Sequence, residues 1–171
     1  GDFTWVNQGG ASASDSTSIY VGAMQVDGLV LSAPVSGGSD NLRILKKAAP
    51  STPYTITIAF LANQPLANYY RVGLVWRESS SGKLILWGLN GQAGGGLLAA
   101  TKYTDPNSYT ADYQLLSWIP QGLIWLQFTD DGTDRTVRYS QDGFDWIVFH
   151  TVGRTDFLTA DEVGFFVNVF N

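Results

Sequence analysis

The sequence has no cysteine, one histidine (His150), one methionine and two glutamates (Glu78 and Glu162) among its 171 residues. Without cysteine there is no disulfide framework, no thiolate metal site and no cysteine nucleophile. A lone histidine excludes the multi-histidine zinc and iron sites. Lysine and arginine total 10 against 15 acidic residues, a formal net charge of −5, so the basic footprint of a nucleic-acid binder is missing. No apolar run reaches the roughly 18 residues of a membrane-spanning helix. The opening Gly1-Asp2-Phe3 has neither an initiator methionine nor a signal pattern, as expected of a chain that is processed, excised or internal to a longer one. Sustained helical spacing is absent too, and the nearest approach, Asp156 to Glu162, reads as one helical turn.

What is present is a period of two. In Tyr54–Phe60 large residues alternate with small or polar ones, as a half-buried strand requires. Val72, Leu74 and Trp76 repeat the pattern, with Arg71 and Arg77 bracketing the other face. Leu84–Trp87 and Leu123–Leu126 are apolar on both faces, so each lies between two layers or carries an exposed apolar face with a purpose. Ser79–Gly82, Asp130-Asp131-Gly132 and Gln141-Asp142-Gly143 supply turns, because aspartate tolerates and glycine prefers positive φ. Residues 123–152 therefore read as a three-strand antiparallel meander. The expectation is one all-β domain over residues 1–171, a two-sheet antiparallel jelly-roll β-sandwich of about eleven or twelve strands. Three stretches read as irregular: Gly9–Ser18, the turn Gly91–Gly96, and Thr104–Gln121, whose length marks it as a functional loop.

Chemistry-bearing residues are few. Glycoside hydrolysis needs paired carboxylates across a cleft, and neither Glu78 nor Glu162 sits in a cluster of that kind. His150, in register with Trp146 and Val148, has no nucleophile elbow to serve. The sequence names no cofactor, and calcium is the one metal that hard oxygen ligands would suit. Asp130, Asp131 and Asp134 are its weak candidates, against a reading as a solvated hairpin tip. The aromatic content is the informative feature: six Trp, eight Tyr and nine Phe equal nearly the whole charged fraction, 13% against 15%. Sugars stack on such rings inside a recess with a few placed polar groups. Trp76, Trp125 and Trp146 fall in well-patterned strands and are assigned to the core. Trp87, Tyr103, Tyr109, Tyr113 and Trp118 are the candidate platform, with Asn90, Gln92, Lys102 and Asp105 as polar partners. The same rings would equally anchor a protein–protein interface.

Four segments in order resemble a known family: DFTWVNQ at Asp2–Gln8, DNLRILKKAAPSTPYTITIAF at Asp40–Phe60, SSSGKLILWGL at Ser79–Leu89, and YSQDGFDWIVFHTVGRTDFLTADEVGFFVNV at Tyr139–Val169. Together they resemble the concanavalin A-like lectin/glucanase β-sandwich as it occurs in phage structural and bacterial surface proteins. The sequence departs from that pattern in ending straight after Val163–Phe170, where such domains add a strand beside the first. Phe3–Gln8 is then expected to present an edge to which a neighbour can add a strand. The resemblance implies an extracellular or virion-surface setting, and members of the family include glucanases, sugar-binding modules and assembly domains. With no carboxylate cluster, the expectation is a non-catalytic attachment domain, lectin-like and binding a glycan. Its alternative is an assembly domain whose partners are neighbouring protein subunits, a homo-oligomer included, and a glucanase stands last. Neither nucleic acid nor membrane insertion enters any of these.

Overall fold

The computed structural model describes residues 2–21, 24–61, 69–92, 95–118 and 122–170, with the backbone alone for residues 16–21, 24–27, 92, 95 and 118. The described residues form strands and no helix: β1 (Thr4–Val6), β2 (Ser12–Val21), β3 (Met24–Ser32), β4 (Arg43–Ala48), β5 (Tyr54–Phe60), β6 (Tyr70–Arg77), β7 (Leu84–Gln92), β8 (Gly95–Asp105), β9 (Ser108–Trp118), β10 (Ile124–Asp130), β11 (Asp134–Ser140), β12 (Ile147–Gly153) and β13 (Glu162–Val169). A seven-stranded sheet runs β1-β4-β13-β6-β7-β8-β9, a four-stranded sheet runs β12-β11-β10-β5, and β2 pairs with β3. All pairings are antiparallel. The chain is an all-β antiparallel sandwich.

The main core lies between the two sheets. Leu74 and Trp76 of β6 and Ile85, Trp87 and Leu89 of β7 meet Ile124, Leu126 and Phe128 of β10 and Val137 and Tyr139 of β11. Trp76 lies 4.2 Å from Phe128 and Trp87 4.5 Å from Phe149, ring centre to ring centre. Each such side chain contributes about 1.5–3 kcal/mol by leaving water, which is why the inward positions of these strands are uniformly apolar. In β10 the inward set is Ile124, Leu126 and Phe128, so Trp125, Gln127 and Thr129 face out.

A second buried cluster sits on the far side of the seven-stranded sheet, where Leu42, Ile44, Val75, Leu84, Leu86, Tyr103 and Phe166 pack with Val6. This accounts for β6 and β7 being apolar on both faces. The sheet curls toward that side: Leu42 N donates to Pro106 O in the β8–β9 turn at 2.9 Å, although three strands separate β4 from β8. Gly73 and Gly88, opposite each other in the ladder, make the crease. A Cβ on Gly88 would stand 2.1 Å from Val72 O, and one on Gly73 2.2 Å from Trp87 O.

Several expectations are corrected here. Gly9–Ser18 is not a loop throughout, because Ser12–Val21 is a strand paired with Met24–Ser32. Leu29 and Val30 of its partner strand are exposed, and none of the described side chains of the pair is buried. Thr104–Gln121 is not an irregular segment, because Ser108–Trp118 forms the edge strand β9 along β8. Asp156–Glu162 makes no helical turn; it bends into β13. The meander over 123–152 is found as β10, β11 and β12, with a bulge where the pairing passes from Val137–His150 to Arg138–Val148. The tip of the Gly91–Gly96 turn, residues 93–94, lies outside the described residues. At the N terminus β1 is an edge strand, paired with β4 on one side.

Candidate functional site

The structure disperses the aromatic platform expected from sequence. Trp87 is fully buried in the main core and donates from Nε1 to Arg138 O at 3.2 Å, so its ring offers no face to a ligand. Tyr103 is fully buried in the second cluster, on the opposite side of the sheet. The two corrections have different causes: the four-stranded sheet covers Trp87 from within the sandwich, and the second cluster on the far side of the seven-stranded sheet covers Tyr103. Tyr109 is exposed, stands edge-on to Tyr103 at 5.8 Å, and donates to Asp112 Oδ2 at 2.9 Å. Tyr113 stacks on His150 at 4.9 Å and bonds Asp156 through its hydroxyl. Lys102 lies 4.3 Å over the Tyr113 ring. Asp105 accepts from Asn107 N at 2.8 Å, and a hydrogen bond from Ser108, with that backbone bond second, holds its carboxyl below the usual range. The side chains of Gln92 and Trp118 lie outside the described residues.

Three of the candidates do meet, around an arginine the sequence reading left aside. Arg71 lies 5.4 Å from both the Tyr103 and Tyr109 rings and 4.0 Å from Asp40. Burial pushes the Asp40 carboxyl up against the pull of that guanidinium. Arg71, buried Asn90 and Thr101 line a cavity of about 10 Å³ over Gly88. That is room for a single water-sized group. No sugar ring enters it.

The acidic turn is likewise engaged within the protein. Asp130 is buried with Arg135, 3.6 Å away, and accepts from Arg154 Nε at 2.9 Å. Asp131 accepts the backbone N–H groups of Thr133 and Asp134 at 2.8 and 2.7 Å, which lower its pKa. The reading as a solvated tip fits Asp131 and fails for Asp130. Among the described residues no three acidic or histidine side chains gather to hold a metal. The two glutamates have neighbours of their own. Glu162 holds Lys46 at 2.5 Å and Arg77, and Glu78 accepts from Thr159 N at 2.9 Å and from Ser81.

The open, ordered surface is the outer face of the four-stranded sheet. Trp125, placed in the core from sequence, is partly exposed on that face, because Ile124 and Leu126 take the inward positions. Trp146, also assigned to the core, is partly exposed just before β12. Three cross-strand rows follow from the register: Thr55–Thr129–Thr136–Thr151, then Thr57–Gln127–Arg138–Val148, then Ala59–Trp125–Ser140. The side chains are bonded to one another. Thr55 and Thr129 hydroxyls meet at 3.0 Å and those of Thr136 and Thr151 at 3.1 Å. Gln127 Nε2 donates to Thr57 at 3.0 Å, and Arg138 Nη1 donates to Thr129 at 3.1 Å and Gln127 Oε1 at 3.4 Å. Each hydroxyl and amide keeps further donor or acceptor capacity for a ligand.

The turn between β11 and β12 completes one end of this face. Asp142 accepts from Phe144 N and Asp145 N at 2.8 and 2.9 Å, and those backbone bonds, the one from Asp145 first, lower its pKa. Gly143 packs on the Trp125 indole: its φ is +83°, and a Cβ would lie 3.0 Å from Nε1. Phe144 follows with 87% of its surface exposed. The signal that finds this face is present in the sequence, since Thr55, Thr57, Gln127 and Thr129 are the polar halves of two alternating strands.

The fold is similar to a solved structure described as "The crystal structure of a functionally unknown protein from Saccharomyces cerevisiae". The TM-score is 0.56, with 14% identity, covering 98% of this chain and 87% of that one. Such a likeness speaks to the fold alone. No family model matches the chain, and no curated protein matches it.

Proposed function

We propose that this chain is a non-catalytic attachment domain that binds carbohydrate on the outer face of its four-stranded sheet. The observation that supports this reading is the juxtaposition of an outward indole, Trp125, with a bonded array of threonine, glutamine and arginine side chains. An aromatic face for the apolar side of a sugar and fixed polar groups for its hydroxyls are the two parts such recognition needs. Side chains already ordered by their mutual bonds lose little entropy on binding. The resemblance to surface-borne sandwich domains fits an extracellular or virion-surface setting. A glycan array run with and without calcium tests the reading: a saturable hit that disappears in Trp125→Ala supports it, and an empty array sinks it.

Assembly through subunit contacts is a second reading, favoured by Phe144, Ile147 and Val148, which leave the edge strand β12 and its turn with exposed apolar groups. Light scattering after size exclusion separates the two. A defined oligomer that Phe144→Asp and Val148→Asp dissolve belongs to assembly, and a monomer rejects it.

A further inference from the structure

We infer, resting on the carbohydrate reading above, that the ligand is an extended, uncharged polysaccharide chain lying along β10, and not a single sugar unit or a chain end. Shape is the first argument. The outward groups of this face do not converge on a recess: the indole of Trp125, whose row partner Ser140 is buried, is followed by two successive polar rows. Strand spacing of about 4.8 Å and a step of about 7 Å between alternate residues make the patch about 14 Å in each direction. On β10 itself Trp125, Gln127 and Thr129 succeed one another on the outward side. One pyranose stacked on Trp125 leaves the Gln127 and Thr129 rows facing water. A chain that continues past the indole meets Gln127 with Arg138, and then Thr129 with Thr55.

Charge is the second argument. Within the three rows Arg138 is the sole ionic side chain, and its Nη1 is already held by Thr129 and Gln127. The turns at the two ends carry Asp142 and Asp145 on one side and Asp131 and Asp134 on the other, in a chain of net charge −5. An acidic polymer laid along β10 would cross from one carboxylate pair to the other. A neutral one meets no like charge.

The test is calorimetric titration of the whole chain with neutral oligosaccharide series of one to six units, glucose-, mannose-, galactose- and xylose-based, and with a polyuronate for comparison. Affinity is expected to rise about tenfold per added unit, or 1.4 kcal/mol, up to three units and then to level. Trp125→Ala is expected to abolish binding at every length. Thr129→Val, a shape-conserving change, is expected to weaken trimer and longer by about fivefold and to leave the dimer unchanged, which corresponds to one hydrogen bond of ordinary strength. Circular dichroism of both variants establishes that they fold. If one unit binds as tightly as six and still needs Trp125, the sugar reading stands and the polymer inference falls. A preference for the polyuronate overturns its neutrality. If no series binds, both readings fall together.

Discussion

The two sheets solve the problem of their outer faces in opposite ways. The seven-stranded sheet is covered on its far side, so Val75, Leu84, Leu86 and Phe166 are as buried there as Trp76 and Trp87 are within the sandwich. Polar groups caught under that cover, Arg71 and Asn90 among them, border a cavity of one water's size. The four-stranded sheet leaves its far side bare and fills it with threonine, glutamine and arginine that bond one another. A covered face stores stability and offers a ligand little. A bare face contributes little to stability and is free to bind. The comparison therefore predicts that stability and binding separate by sheet.

The largest effects belong to the covered side and the core. Trp87→Ala is expected to cost about 3–5 kcal/mol, as large-to-small changes of buried aromatics do, read as a fall in the urea midpoint. Asp130→Ala is expected to cost about 3 kcal/mol by leaving Arg135 buried beside no carboxylate, whereas a double replacement by apolar residues should recover much of it. Trp125→Ala breaks or sharpens the comparison directly. A loss below about 1 kcal/mol, typical of surface positions, with loss of glycan binding supports the separation by sheet. A loss as large as that of Trp87→Ala would return Trp125 to the core.

Gly143→Ala comes next. The backbone at φ +83° and the 3.0 Å approach to Trp125 lead us to expect a cost of about 1–2 kcal/mol. Because the new methyl pushes the indole, glycan affinity should fall more than stability does. Equal losses in both would show that the turn supports the fold and not the platform.

How far the sequence carries this picture depends on which residues are asked. The alternation in Tyr54–Phe60 and the Asp-Gly turns were enough for the sandwich and for the β10–β12 meander, since burying one face leaves a period of two. β2 escaped because its run of small and polar residues has no period of two, and β9 because it follows turn-forming residues inside a segment that reads as one loop. In β9 the alternation of Tyr109, Ala111, Tyr113 and Leu115 with Thr110, Asp112 and Gln114 is in the sequence, but Leu115 and Leu116 are both exposed, as an edge strand permits. The platform was misplaced for a related reason. Both faces are apolar in Ile124-Trp125-Leu126, and only Gln127 and Thr129, two and four residues on, tell which side Trp125 takes. Trp87 and Tyr103 could not be separated from exposed rings, because what covers them is far away in the chain: Phe149 for Trp87, Leu42 and Phe166 for Tyr103.

The smallest effect sits where the two sheets meet at their edges. His150 stacks on Tyr113, and its Nε2 is buried without a hydrogen-bond partner among the described residues. Burial lowers its pKa below the usual 6.5; Lys102 adds to that, and Asp156 opposes it. The folded state therefore binds a proton less readily than the unfolded chain. The resulting stability is complete above pH 6.5 and is lost as pH falls through the lower folded value. Acidifying from pH 7.5 toward 5 should lower the melting temperature slightly, and His150→Phe should remove that part of the slope while keeping the stack. An unchanged slope in the variant would assign the acid sensitivity to carboxylates such as Asp131 and Asp142, whose lowered pKa values lose their contribution only at more acidic pH. Glycan affinity should not follow the His150 titration, because His150 faces the seven-stranded sheet and the binding face looks the other way.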